Sequence, residues 1–206
     1  MYPLKLLLIR HSVTEGNLKR RYIGITDEPL CQAGSEMAER RYSGMPFMPQ
    51  LVYCSPLLRC IETAGILFPN VRRITVPQLR ECDFGIFEGK THDELAQDPD
   101  YIKWVASEGA FTPPNGESGA DAQERCMASL ENVLSDMRAD GVDRAAVVTH
   151  GGVIMRIMAQ LFGGGIYQWQ PENCGGYLLE INGKHFYWKK ISGGSEIIAD
   201  DIAAIL

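Results

Sequence analysis

The sequence contains no apolar run near the roughly 18 residues that a membrane-spanning helix needs, so no membrane partner is expected. It also lacks an excess of positive charge. With 20 Lys and Arg against 26 Asp and Glu, the net charge is −6, which argues against nucleic acid, whose phosphate backbone needs a basic face. The six cysteines (Cys31, Cys54, Cys60, Cys82, Cys126 and Cys174) include no Cys-x-x-Cys pair, which argues against a zinc ribbon or a thioredoxin-like site. A chain of this size does not need disulfides, so reduced, mostly buried thiols are expected. Residues Met1 to Lys5 carry no basic region leading into a cleavable apolar segment, which makes the cytoplasm the default location. Gly151-Gly152 falls short of the full Gly-x-Gly-x-x-Gly fingerprint, so no dinucleotide is indicated, and neither a metal nor another cofactor is expected. There is no internal repeat and no low-complexity tract. What remains, 45% hydrophobic and 22% charged over 206 residues, reads as one globular domain over residues 1–206.

The informative stretch is Leu4 to Asn17. It begins as an apolar run and turns polar at Arg10-His11. A short apolar run bounded by turn-type residues fits a strand buried on both faces, as in a parallel sheet. In open α/β sheets, ligands bind just outside the carboxyl ends of the strands. A cation beside an imidazole at that edge suits an anion, phosphate above all. Thr14 and Asn17 follow and can add neutral donors. Alone, such a pair is more simply a surface arginine and a satisfied histidine, but four further stretches fit the same site.

Leu18 to Pro29 is irregular and carries Lys19, Arg20 and Arg21, either a solvated loop or an anion-attracting rim. Gly34 to Tyr42 reads as a short helix closed by Ser43-Gly44, Pro46 and Pro49. Leu51 to Cys54 is a second strand. Ser55 is placed to cap the next helix, with Pro56 at its first position and Leu58, Ile61, Ala64 and Leu67 as its apolar stripe. Arg59 lies in its first turns, where free N–H groups already favour an anion, and is a phosphate ligand or a surface charge. Ile74 to Val76 is a third strand. Glu81 and Asp83 share a face of an extended segment, as a general acid with its neighbour or as two solvated carboxylates. Thr91 to Glu94 has the capping-box pattern and puts His92 on a helix surface. After the break at Pro113 to Gly116, Ser118 or Asp121 caps a long helix to about Arg138. Its residues Ala122, Cys126, Leu130, Val133, Leu134 and Met137 pack on the sheet. Arg144 to Thr149 is a fourth strand. It ends in His150-Gly151-Gly152 and leads into a helix from about Val153, repeating the design of the first. Asn182-Gly183, between Tyr177–Ile181 and His185–Trp188, signals an antiparallel hairpin. The tail after Gly194 reads as a short helix or an unordered end.

Every polar group in this series emerges at one sheet edge. Four motifs occur in order: Arg10-His11-Ser12-Val13-Thr14-Glu15-Gly16-Asn17, Ser55-Pro56-Leu57-Leu58-Arg59, Leu79-Arg80-Glu81 with Phe84-Gly85 and Glu88-Gly89, and Thr149-His150-Gly151-Gly152. Together they resemble the histidine phosphatase superfamily, which includes the cofactor-dependent phosphoglycerate mutases, over nearly the whole chain. The resemblance implies a three-layer α/β/α fold with a mostly parallel sheet and an antiparallel edge hairpin. It implies that His11 attacks phosphorus as a neutral imidazole, with its other ring nitrogen held by a backbone carbonyl. Arg10, Arg59 and His150 would surround the phosphoryl oxygens. Asn17, Thr14, Ser12, Gly24 and the Gly151 amide would complete the cradle. Glu81 would protonate the leaving oxygen and then help water attack. Asp83 is the weaker candidate, and the acid phosphatase branch's Asp after the second histidine is here Gly151. The family usually carries glycine where this chain has Ser12, whose hydroxyl either tightens the loop or adds a phosphate donor and lowers the activity expected.

The mutases grip a substrate carboxylate with an arginine pair on an extra segment. Between Glu88 and Ser118 this chain offers only Lys90 and Lys103, with Tyr101, Trp104 and Phe111 as aromatics. An aromatic rim suits a bulky, less acidic leaving group. Pro114-Asn115-Gly116-Glu117 also resembles the small phosphatases, among them the α-ribazole phosphatases. The expectation is therefore a metal-independent phosphomonoesterase acting on a small phosphorylated metabolite, α-ribazole phosphate among those admitted; a homodimer is left open. Three other readings stand beside it: a phosphoglycerate mutase, a catalytically weak phosphate binder, and a metal site made by His11, Glu81 and His150.

Overall fold

The computed structural model describes residues 3–43 and 47–192. Gly44, Pro46 and the tail after Gly194 lie outside them. The elements run β1 (Leu4–Arg10), α1 (Glu15–Leu18), α2 (Gln32–Ser43), β2 (Leu51–Cys54), α3 (Leu58–Leu67) and β3 (Arg73–Thr75). There follow α4 (His92–Leu95), α5 (Pro99–Ala106), α6 (Gly119–Ala139), β4 (Arg144–Thr149), α7 (Gly151–Phe162), β5 (Gly176–Asn182) and β6 (His185–Ile191). The six strands form one sheet in the order β3-β2-β4-β1-β5-β6. The first four are parallel, and β5 and β6 add an antiparallel edge.

The alternation of side chains along β1 builds two cores. Leu4, Leu6 and Leu8 pack with α6 and α7, while Leu7 and Ile9 pack with Ala38 of α2 and Cys60, Ala64 and Leu67 of α3. A strand covered on both faces cannot alternate apolar with polar residues, which explains the continuous run at residues 6–9. The result is the expected α/β/α layering with its antiparallel hairpin edge. A third cluster, Phe87, Leu95, Tyr101 and Trp104, lies apart from the sheet and organises the segment between β3 and α6.

Local signals explain most element ends. Thr91 caps α4 with a full capping box, Ser118 caps α6, and Gly183 takes φ +63° in the hairpin turn. Other expectations shift. Helix α2 starts at Gln32, two residues ahead of Gly34, and β3 is Arg73–Thr75 rather than Ile74–Val76. The stretch expected to be irregular is preceded by the one-turn helix α1, closed by a reciprocal Thr14–Asn17 capping box. Helix α5 begins after Asp98, which caps it ahead of Pro99.

Ser55 does not cap α3. That helix starts at Leu58, its preceding Leu57 offers no side-chain cap, and the Ser55 hydroxyl accepts from Leu57 N at 3.3 Å, ahead of the helix, and from His150 Nε2 at 2.7 Å. Arg59 is no surface charge either, because it is fully buried.

Leu8 is fully buried in the central strand. Leu8→Ala is expected to lower the unfolding free energy by about 3 kcal/mol, read from urea midpoints at unchanged slope.

Candidate active site

Register assembles the site. Strands β1 and β4 are hydrogen-bonded neighbours with Arg10 opposite Thr149, and His11 N continues the ladder to Thr149 O at 2.8 Å. The residues that follow, His11 and His150, are therefore side by side, with ring centroids 5.2 Å apart. Ser55 N bonds Val148 O at 3.0 Å and brings the end of β2 to the same place.

His11 Nδ1 lies 2.6 Å from the Ser12 carbonyl. A carbonyl only accepts, so Nδ1 carries the proton and Nε2 keeps its lone pair. Burial holds the His11 pKa well below the ordinary 6.5, and the charges of Arg10 and Arg59 push the same way, outweighing the Ser12 hydrogen bond. His150 is also held well below 6.5, by burial first and then by Arg59. Its Nδ1 accepts from Arg59 Nε at 3.3 Å, so its Nε2–H donates to Ser55 Oγ. Both imidazoles are neutral, and both nitrogens of His150 are engaged, which removes it from a metal-ligand set. Among the described residues, no group of three or more His, Cys, Asp or Glu side chains is placed to hold a metal ion.

A cavity of about 420 Å³ opens above His11. Arg10, Asn17, Glu81, Gly151 and Asn173 line its inner end. Arg10 donates through Nη1 to Pro171 O at 3.0 Å, whereas its Nε is buried with no hydrogen-bond partner. An orphaned guanidinium N–H costs free energy unless an acceptor arrives, so that wall is prepared for an anion. Asn17 Oδ1 accepts from Thr14 N and from Asn173 Nδ2, which leaves the Asn17 amide nitrogen as its donor.

Glu81 is almost fully buried. Its Oε2 accepts from Gly152 N at 2.9 Å and its Oε1 from Cys82 N at 3.0 Å. A Cβ on Gly152 would run into this carboxylate, so the first turn of α7 can approach it only with glycine there. Behind it, Arg125 donates to Glu117 and to the carbonyls of Gln78 and Arg80, and Arg80 donates to Glu117 and to Glu81 O. This network fixes the otherwise irregular segment that carries Glu81.

Several expected ligands sit elsewhere. Ser12 is buried and donates to Gly34 O at 2.6 Å, so its hydroxyl ties the loop and does not face the cavity. Thr14 is spent on capping Asn17 N. Gly24 gives its N–H to Glu88 and its carbonyl to Arg59. None of the three lines the cavity. Nor do Arg59 and His150. Arg59 holds His150 and the carbonyls of Gly24 and Thr26 from behind, at 2.7 and 2.8 Å. Asp83 turns to Gly85 N, away from the site. The rim carries Tyr22, Phe84, Trp104 and Tyr167, but also Arg20, Arg21 and Arg156, so it is basic as well as aromatic. Tyr101 lies buried beneath it, and Lys103 stacks over Phe111. The sequence singles out neither Asn173 nor Arg156, and it marks Glu88 and Glu117 as motif residues without the networks they hold.

The family model described as Histidine phosphatase superfamily (branch 1) matches residues 6–192. The chain belongs to the histidine phosphatase superfamily. An Escherichia coli relative, the adenosylcobalamin/α-ribazole phosphatase, is 30% identical over 168 residues, 78% of this chain and 80% of that one. The broad-specificity phosphatase YOR283W of Saccharomyces cerevisiae is 30% identical over 168 residues, 77% of this chain and 70% of its own. The crystal structure of the Shigella flexneri α-ribazole phosphatase superposes with a TM-score of 0.82 at 24% identity, covering 96% and 100% of the two chains, and so shows the shared fold. As a histidine phosphatase, the chain is a hydrolase of phosphomonoesters. Among its described residues, no helix is long and apolar enough to cross a membrane.

Both histidines are neutral when folded and titrate near 6.5 when unfolded. Below pH 6.5 the unfolded chain binds protons that the folded chain refuses. Their share of stability is thus complete above 6.5 and falls with pH, by up to about 1.4 kcal/mol per histidine per unit, until the folded pKa is reached. Urea unfolding at pH 7.5, 6.5 and 5.5, with His11→Asn/His150→Asn as reference, should show the double variant losing less between the upper and lower pH.

Proposed function

We propose that this histidine phosphatase hydrolyses small phosphorylated metabolites through a phosphohistidine on His11. The observation that carries the reading is the 2.6 Å bond from His11 Nδ1–H to Ser12 O, which leaves a neutral Nε2 with its lone pair beside the anion-ready Arg10. In the first step Nε2 attacks phosphorus, the bond to the leaving oxygen breaks, and protonated Glu81 gives that oxygen its proton. In the second step water attacks phosphorus, Glu81 takes the water proton, and the P–N bond breaks to return the lone pair to His11. Arg10, the Gly151 amide and Asn17 receive the phosphoryl oxygens. Arg59 acts from behind, by holding His150 and the loop around Gly24.

The tie from Ser12 to Gly34 O supports a working enzyme despite the serine, because the hydroxyl is satisfied away from the nucleophile. We further propose a single domain over residues 1–206 and a cytoplasmic location, which the six buried, unpaired cysteines support. α-Ribazole phosphate, suggested by the E. coli relative, belongs on the substrate panel with the phosphoglycerates.

His11→Ala is expected to lower kcat on p-nitrophenyl phosphate by about 10³-fold or more, with Glu81→Gln slowing substrates with poor leaving groups most. Quenched wild type should carry an acid-labile phosphoryl group on His11 that is absent from His11→Ala. Equal rates in wild type and His11→Ala, or no labelling during turnover, would remove the phosphohistidine from the mechanism.

A further inference from the structure

The mouth of the cavity holds more positive charge than a lone phosphoryl group requires. Four arginines (Arg10, Arg20, Arg21 and Arg156) line the cavity against one carboxylate, Glu81, in a chain of net charge −6. Arg10 belongs to the phosphoryl end, and Arg21 has Glu94 within electrostatic reach. Arg156 forms no ion pair among the described residues. Its head is nevertheless held: Nη1 donates to Gly119 O at 3.1 Å. Beside Nη2 sits Gly109, with φ +77° and no side chain to cover the guanidinium. Arg156 stands on α7 four residues beyond Gly152, so it rises about 6 Å along the helix from the turn that meets Glu81. Tyr167 and Trp104 line the same mouth.

We infer that Arg156 forms a second anion subsite, and that the preferred substrate is a phosphomonoester whose leaving group carries its own acidic group, a carboxylate or a second phosphate. This deepens the phosphatase reading and rests on it. A held guanidinium with an open face is built for a planar or tetrahedral oxyanion, and its fork geometry binds such groups in two-point fashion. Arg20, exposed at the rim, adds to the field that draws such a dianion or trianion inward. A neutral nucleoside leaving group would use the aromatic wall alone and leave Arg156 unmatched.

The test compares kcat/KM within two matched pairs: 3-phosphoglycerate with sn-glycerol 3-phosphate, and fructose 1,6-bisphosphate with fructose 6-phosphate. The first pair reports a carboxylate and the second a second phosphate. p-Nitrophenyl phosphate serves as the control for hydrolysis itself. In wild type the acidic member of at least one pair should be favoured about tenfold or more. In Arg156→Met that ratio should collapse toward one, mainly through KM, with Arg156→Lys recovering part of it. Arg20→Asn provides a second variant at an exposed position and should shrink the ratio less. A wild-type ratio near one in both pairs overturns the inference, as does an equal loss for both members in Arg156→Met, which would mean general attraction of phosphates only. Hydrolysis of p-nitrophenyl phosphate with no preference in either pair leaves the phosphatase reading standing and sinks the subsite. No hydrolysis of any of the five esters sinks both.

Discussion

The site depends on one short hydrogen bond between the His11 ring and the carbonyl of the next residue, Ser12. With Nδ1 donating to Ser12 O, the His11 ring has only one way to face the cavity. The bond acts together with two buried cations. Burial makes an imidazolium at this position unfavourable, and Arg10 and Arg59 make it more so. His11 is therefore neutral because of where the sheet puts it.

Holding that arrangement takes a second ring of residues, mostly far away in sequence. Glu88 accepts from the N–H groups of Gly24, Ile25 and Phe84 and from the Thr26 hydroxyl. The loop so fixed turns its carbonyls onto Arg59, and Arg59 in turn fixes His150. On the other side, Glu117 and Arg125 clamp the 3-10 turn Pro77–Leu79 and the Arg80 that follows it, just before Glu81. Replacing Gly24 with any larger residue would push a Cβ into Cys82 O and Glu88, so this loop and the acid segment are also packed against each other. Two clamps, one for the imidazoles and one for the carboxylate, meet where Gly24 packs on Cys82 and again in the cavity.

This division explains what the sequence showed and what it hid. The strands that end in Arg10-His11 and in His150 were legible because a doubly covered strand leaves an apolar run and an abrupt polar end. The caps at Thr91 and Ser118 and the turn at Asn182-Gly183 were legible because each is local. The Thr14–Asn17 box was local too, yet its residues were read as ligands, since a capping pair and a pair of polar ligands look alike in one dimension. The role of Ser55 was misread for a related reason: a Ser-Pro start fits a helix cap, but the buried His150 N–H needs an acceptor more than the first turn of α3 does. Asn173 and Arg156 leave no pattern at all. One lies in an irregular approach to β5, and the other shares a helix whose apolar stripe masks it.

The balance of charge inside the cavity also bears on its stability. Arg59 is wholly buried, and its partners are carbonyls and an imidazole, none of them a carboxylate. Arg10 keeps a buried N–H with no acceptor. Both features oppose folding of the empty protein, because a desolvated cation with neutral partners loses hydration that dipoles only partly restore. Arg10 lines the cavity, so an anion bound there would meet its charge, whereas Arg59 lies behind the wall with His150 and the carbonyls of Gly24 and Thr26. Burial first, and then the charges of Arg10 and Arg59, keep His11 unprotonated, and the positive charge that lines the cavity above it attracts anions.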